Sequence, residues 1–324
     1  MESVLETWLF PKTNSNLTLE TLYSQMKDMD FTSVIRAFTD RLDTIPYTFS
    51  KSEQVSGSIC FFGGVFTSLL NYGYIEEIDG LFTFALCYML IDHFLDDNTI
   101  SQEEKSQSMS EIYAFLTEGK RGDNKLINAA GDRYLGLVER VPECQEYFMK
   151  LFKSELEGAQ VEQRNDLDRE VYRRNADEKG GLTATVIGSI LGLKSEKQKV
   201  ESRSLGRLIQ INDDILDCIF DRSVGIYTLA IYDIDHGNLD QYVREAIIDI
   251  ANLSNVYNFF KPILLLGVIL GVHDNPGHLS EELNTLLQKY NPFNENTSKD
   301  SLSEWFHDKL YLYIDDRKID FSKK

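Results

Sequence analysis

Two acidic clusters carry residue types and a spacing that could do chemistry: Asp92-His93-Phe94-Leu95-Asp96-Asp97 and, about 120 residues later, Asn212-Asp213-Asp214-Ile215-Leu216-Asp217. On an α-helix, positions four apart share a face, so Asp92 with Asp96 and Asp213 with Asp217 each present two carboxylates in one direction. Carboxylate oxygens without accompanying thiols or imidazoles suit Mg²⁺ or Mn²⁺, and Mg²⁺ completes its octahedron with water and substrate phosphate. The two clusters therefore suggest a diphosphate held between metals, with Asp92, Asp96, Asp97, Asp213, Asp214 and Asp217 as candidate ligands. The plain alternative is chance, because in a chain of net charge −19 acidic residues often fall four apart on a solvated helix face. Context argues against it. Leu81 to Leu95 reads LFTFALCYMLIDHFL and Leu205 to Phe220 reads LGRLIQINDDILDCIF, both too apolar for helices solvated all round. Carboxylates buried there need a compensating partner, and a metal supplies one.

The elements that must position these groups follow from the rest of the chain. Long apolar-periodic stretches and the lack of alternating β-branched runs predict a mostly α-helical protein. With 6 Pro in 324 residues and no Pro/Gly/Ser linker, a single domain over 1–324 is expected. Helices through about Ser50 would cover it, and the tail from Asn291 to Lys324 is polar, with an amphipathic patch from Trp305 to Tyr313.

The segment Leu205-Gly206-Arg207-Leu208-Ile209-Gln210-Ile211-Asn212-Asp213-Asp214-Ile215-Leu216-Asp217 closely resembles the second aspartate-rich motif of trans-isoprenyl diphosphate synthases. The shared features include the leading Leu-Gly and Gln210 before the acidic pair. The first cluster resembles the earlier motif of that family, with His93 where a second Asp normally sits and Asp97 added beyond Asp96. The likeness extends from about Ser56 to Asp235. It implies an all-α orthogonal bundle of the isoprenoid synthase type with a central cavity, three Mg²⁺ ions (Mn²⁺ as the alternative), an allylic prenyl diphosphate substrate and a homodimer. It also implies that Asp92, Asp96, Asp213 and Asp217 are catalytic as metal ligands, with Asp97, Asp214 and Gln210 supporting them.

Other roles follow from the same resemblance. Lys179, in Tyr172 to Thr183, stands where a family Lys contacts the leaving diphosphate, and Arg173 and Arg174 rank behind it. The Gly180-Gly181 pair is expected to interrupt or loosen its helix. Tyr88 falls at the floor of the chain-binding tunnel, favouring substrates of about ten or fifteen carbons, with Phe84 also on the substrate and, like Cys87, able to offset the shortening. His93 is a candidate neutral donor lining the metal site, and Lys309 with Tyr311 resemble a late basic-aromatic element that closes the pocket.

Departures from the family are equally informative. Chain-elongating members grip a second diphosphate with a Gly-Lys-Arg stretch before the first motif and an Arg-Arg pair after it. Here Ser52 through Glu104 contains no Lys or Arg, and downstream of the second motif Asp221 to Thr228 offers only Arg222. Losing several charge-assisted phosphate contacts, each about 1.5–3 kcal/mol, lowers co-substrate affinity by orders of magnitude. The expectation is therefore a class I terpene synthase, a lyase that ionises geranyl, farnesyl or geranylgeranyl diphosphate and cyclises or quenches the cation. Phe61, Phe62, Phe66, Phe82, Phe84 and Tyr88 would supply aromatic faces for that cation. The alternatives are an elongating prenyltransferase and a catalytically inactive regulatory subunit. An Asn-Asp-x-x-Ser-x-x-x-Glu triad fails because Leu216 and Phe220 occupy its Ser and Glu positions. The first cluster also matches squalene and phytoene synthases, whose second motif carries an Arg-Asp missing here.

A pI of about 4.7 argues against nucleic acid as a partner. Pro262 to Val272 is too short to span a bilayer and no signal peptide opens the chain, so a cytoplasmic protein without a membrane span is expected. Cys60, Cys87, Cys144 and Cys218 are dispersed in a way that predicts buried thiols rather than disulfides or a zinc site.

Overall fold

The structure is a computed structural model that describes residues 32–72, 77–96, 100–193, 195–254, 257, 260–273 and 279–290. The expected helical class holds: among the described residues there are thirteen α-helices and no strand. The chain forms two compact units, an early one over 30–156 and 185–195 and a late one over 157–184 and 196–302.

The early unit contains α1 (Thr32–Leu42), α2 (Lys51–Tyr72), α3 (Ile78–Asp96), α4 (Gln102–Glu118) and α5 (Lys125–Arg140), together with most of α6 (Cys144–Glu162). Local signals set the starts. Ser50 Oγ accepts from the Glu53 backbone N–H at 3.2 Å while Glu53 Oε2 accepts from the Ser50 N–H at 2.6 Å, a reciprocal cap that begins α2. Asn124 Oδ1 accepts from the N–H groups of Leu126 and Ile127 at 2.9 and 3.2 Å and so starts α5. α3 is apolar nearly all round because it packs against both α2 and α5, burying Leu81, Phe82, Ala85 and Leu86 completely. Ile78–Leu95 is long and apolar enough to cross a membrane by length and composition, but most of it is buried in protein, as a core helix would be. The cysteines carry no disulfide, and burial pushes the Cys87 thiol up to about 12.

The late unit holds the end of α6, most of α7 (Arg169–Ile190), then α8 (Glu196–Leu216), α9 (Cys218–Val224), α10 (Leu229–Asp235), α11 (Leu239–Asn252), α12 (Phe260–His273) and α13 (Glu281–Tyr290). α8 is its central helix, with α10, α11 and α12 packed against it. Glycines fix its place. A Cβ built on Gly180 of α7 would lie 2.3 Å from the Gly206 carbonyl oxygen, and one on Gly206 would lie 2.2 Å from that of Gly180. A Cβ on Gly267 of α12 would lie 2.0 Å from Asn212 Oδ1, and one on Gly271 would lie 2.8 Å from the Ile215 carbonyl oxygen.

The expectation that Gly180-Gly181 loosens its helix is corrected here. α7 runs unbroken from Arg169 to Ile190, and Gly180 serves instead to let α7 and α8 cross in backbone contact. Ionic ties flank the crossing. Arg203 Nη2 reaches Glu178 Oε2 at 3.1 Å, and Arg207 Nη2 reaches Asp249 Oδ2 on α11 at 2.8 Å. Deeper in the unit, Arg169 forks onto the fully buried Asp233 at 2.7 and 2.8 Å and also meets Glu245 at 3.1 Å.

Candidate active site

α8 ends at Leu216, and Asp217 follows with φ −99° and ψ 2°. The helical path nevertheless continues, because the Asp217 N–H donates to Asp213 O at 2.9 Å and the Asp221 N–H to Asp217 O at 2.8 Å. Asp213, Asp217 and Asp221 therefore succeed one another at four-residue spacing across the junction into α9, and their charges repel one another. Glu162, the last residue of α6, joins them electrostatically. Facing this group is Lys179 of α7, whose Nζ donates to Glu162 Oε1 at 2.9 Å. Asn175, one turn earlier, donates to the same oxygen at 3.1 Å.

The end of α6 is held in place from another side, since the Tyr227 N–H donates to Glu162 O at 2.7 Å. Gly158 lets α6 approach α7 closely: a Cβ there would lie 2.8 Å from Asn175 Oδ1 and 3.2 Å from Lys179 Cδ. Tyr242 of α11, buried, donates to the Ile211 carbonyl and pins α8 two residues before Asp213.

Asp213 is accessible to solvent yet densely surrounded by protein, so its charge is poorly hydrated while open to a ligand. That surrounding protein, followed by repulsion from Asp217, raises its carboxyl to about 6, against the pull of Lys179. Asp214 is buried, which raises it to about 8, and the Gln210 Nε2 hydrogen bond at 3.0 Å opposes the rise. Burial, then Asp217 and Asp213, raise Asp221 to about 7. Crowded carboxylates with raised proton affinity are the donor set that a hard divalent cation satisfies. Among the described residues, no three such groups converge closely enough to enclose an ion by themselves. A cation held here would take its remaining positions from water and substrate phosphate, as Mg²⁺ habitually does.

The sign of the pH effect follows. Folded carboxyls at about 6, 7 and 8 bind protons more tightly than the ordinary value of 3.8 that applies once the chain unfolds. Stability in the absence of divalent cations must therefore fall as pH rises from about 4 toward 8. Thermal melts in chelator at pH 5 and pH 8.5 should show the lower midpoint at the higher pH. Asp214→Asn should reduce the difference, and an equal or higher midpoint at pH 8.5 would contradict these environments.

In the early unit, Asp92 and Asp96 lie on the last turns of α3 but their side chains fall outside the described residues, as does all of Asp97. The neighbouring His93 Nδ1 lies 3.9 Å from Glu53 Oε1, the acid that caps α2. Lys105 reaches back from α4, its Nζ donating to Leu95 O at 2.6 Å. It brings a cation to this end of α3 from just beyond the stretch that lacks basic residues. Tyr88 is half-buried one turn before Asp92, its ring 5.9 Å from that of Phe84, which is itself packed in the core against Phe148.

The basic candidates divide by placement. Lys179 lies in the acidic group, whereas Arg173 Nη1 is engaged with Glu245 at 2.8 Å in the ionic network around Arg169, and Arg174 is exposed. Arg222 binds Asp235 Oδ1 at 2.6 Å. Lys309 and Tyr311 fall outside the described residues. Sequence reasoning missed both Glu162 and Asp221 as members of this group. A search for further acids at four-residue spacing beyond Asp217 would have found Asp221. Glu162 has no such signal, because only tertiary contact brings it to Lys179.

The sequence matches no protein-family model and no curated protein. Among solved structures the chain is similar to a dehydrosqualene synthase crystallised in complex with ligand, at 13% identity and a TM-score of 0.46. That alignment covers 88% of this chain and 99% of the other.

Proposed function

We propose that this protein is a Mg²⁺-dependent class I terpene synthase that ionises a linear allylic prenyl diphosphate and cyclises or quenches the resulting cation. The observation that carries the proposal is the gathering of Asp213, Asp217, Asp221 and Glu162 near Lys179, the first two on a segment that resembles the second aspartate-rich motif of isoprenyl diphosphate synthases. Bound Mg²⁺ would supply Lewis-acid stabilisation of the leaving diphosphate. Asp213 and Asp217 would hold it from α8, with Asp221 in support, and Asp92 and Asp96 would serve the same purpose at the end of α3. Lys179 would turn from Glu162 to a diphosphate oxygen, replacing one charge-assisted hydrogen bond by another. A cytoplasmic location and a homodimer belong to the same proposal.

Incubation with Mg²⁺ and geranyl, farnesyl or geranylgeranyl diphosphate, each with and without isopentenyl diphosphate, tests it. Hydrocarbons or alcohols formed without isopentenyl diphosphate are expected. Longer diphosphates formed only with that co-substrate would make the protein an elongating synthase instead. Lys179→Ala should raise the KM for the preferred substrate about tenfold, the loss of one charge-assisted contact in a partly hydrated site. Unchanged KM and kcat would remove Lys179 from the site.

A further inference from the structure

The early unit holds a cavity of about 400 Å³ lined by Arg41, Asp79, Thr83, Arg133, Gly136 and Arg140. Three guanidiniums at one cavity are unexpected in a chain of net charge −19. Arg41 Nε donates to Asp79 Oδ1 at 2.9 Å, and its Nη1 donates to Ala37 O at 2.9 Å. Arg133 has a different environment: its Nη2 donates to the Thr44 hydroxyl at 2.6 Å and its guanidinium lies 5.0 Å from the Phe82 ring centroid. Arg140 Nη1 donates to Gly136 O at 2.9 Å, while its Nη2 is 3.9 Å from Glu77 Oε2. Among the described residues, Arg41 alone of the three makes a hydrogen bond to a carboxylate. Each guanidinium carries five N–H donors in a rigid fork, so the three together hold many more donors than these contacts use.

We propose that this cavity binds a small multivalent oxyanion of the phosphate or diphosphate class. Guanidinium forks match the oxygen spacing of such groups, and the Phe82 ring and Thr44 hydroxyl already hold Arg133 in one orientation. The volume suits a diphosphate or a small phosphorylated metabolite. Gly136 faces open space at the cavity, since a Cβ there would meet nothing nearer than Arg140 Nη1 at 3.9 Å. Asp79 lies at the start of α3 and Asp92 near its end, separated by roughly 20 Å at 1.5 Å per residue. An anion bound beside Asp79 is therefore too far from the first acidic cluster to react there, which makes the cavity a site separate from that cluster.

Isothermal titration of the full chain with sodium diphosphate, in chelator and at fixed ionic strength, tests the proposal without any cation to bridge the anion to aspartates. Saturable binding of one anion is expected. Arg133→Gln and Arg140→Gln should each weaken it about tenfold or more. Gly136→Met should project a side chain into the cavity and weaken binding at least as much, while leaving the thermal midpoint at or above that of the parent, because it also removes a helix-interior glycine. The proposal is overturned by a parent protein that shows no saturable binding or by binding that survives both Arg133→Gln and Gly136→Met. Binding lost in Lys179→Ala but kept in Gly136→Met would place the anion at the acidic group and overturn it equally.

Discussion

Asparagine in place of Asp213 is expected to slow Mg²⁺-dependent release of diphosphate from a prenyl diphosphate by about 10²–10³-fold, the range seen when one preorganised electrostatic contact to a transition state is removed. The substitution keeps the shape of the side chain and deletes its charge. Because Asp213 is exposed to solvent, no cavity opens in the core. Repulsion from Asp217 and Glu162 disappears with the charge, so the melting midpoint in chelator should hold or rise. A higher Mg²⁺ concentration needed for half-maximal rate should accompany the loss, which separates a ligand role from a purely structural one. Turnover near that of the parent at low Mg²⁺ would remove Asp213 from the proposed ligand set.

Gly206→Ala is expected to be the most destabilising single-methyl change in the late unit. The added carbon would lie 2.2 Å from the Gly180 carbonyl oxygen and 2.5 Å from Ala184 Cβ, and a backbone oxygen cannot rotate away. α7 and α8 must then separate, at a cost of about 1–3 kcal/mol, with a gain of up to about 1 kcal/mol from better helix propensity set against it. Gly63→Ala in α2 is the matched control, because a Cβ there meets nothing within 4 Å and only the propensity gain remains. Thermal denaturation should lower the midpoint for Gly206→Ala by several degrees and hold or raise it for Gly63→Ala. Equal midpoints for the two variants would mean that the crossing has slack. Separation of the helices would also carry Lys179 away from Asp213, so Gly206→Ala should reduce turnover in the folded protein as well.

The helical class and the charged end of α8 were legible because both are local: apolar periodicity predicts helices, and acids at four-residue spacing share a helix face. Asp213 and Asp217 could be placed on one helix face on those grounds alone. What the helix glycines do could not. Gly180-Gly181 resembles a break when considered along the chain, whereas its role is set by Gly206, which no local pattern pairs with it. Arg173 was drawn to the substrate by its nearness to Lys179 in sequence, yet it points to Glu245 of α11, 72 residues away. Glu162 stayed hidden for the same reason, at the polar end of an amphipathic helix where an acid is unremarkable until the fold brings Lys179 to it.

Where two helices meet through main-chain atoms at Gly180 and Gly206, their separation is set at the crossing by backbone contact rather than by bulky side chains. Substitutions on α7 and α8 away from this crossing and its neighbours Ala184 and Gln210 can thus accumulate while that separation is kept. On the proposed function, a lineage built on this crossing could change the lining of its site, and with it the products, while inheriting the same arrangement of Lys179 and the aspartates.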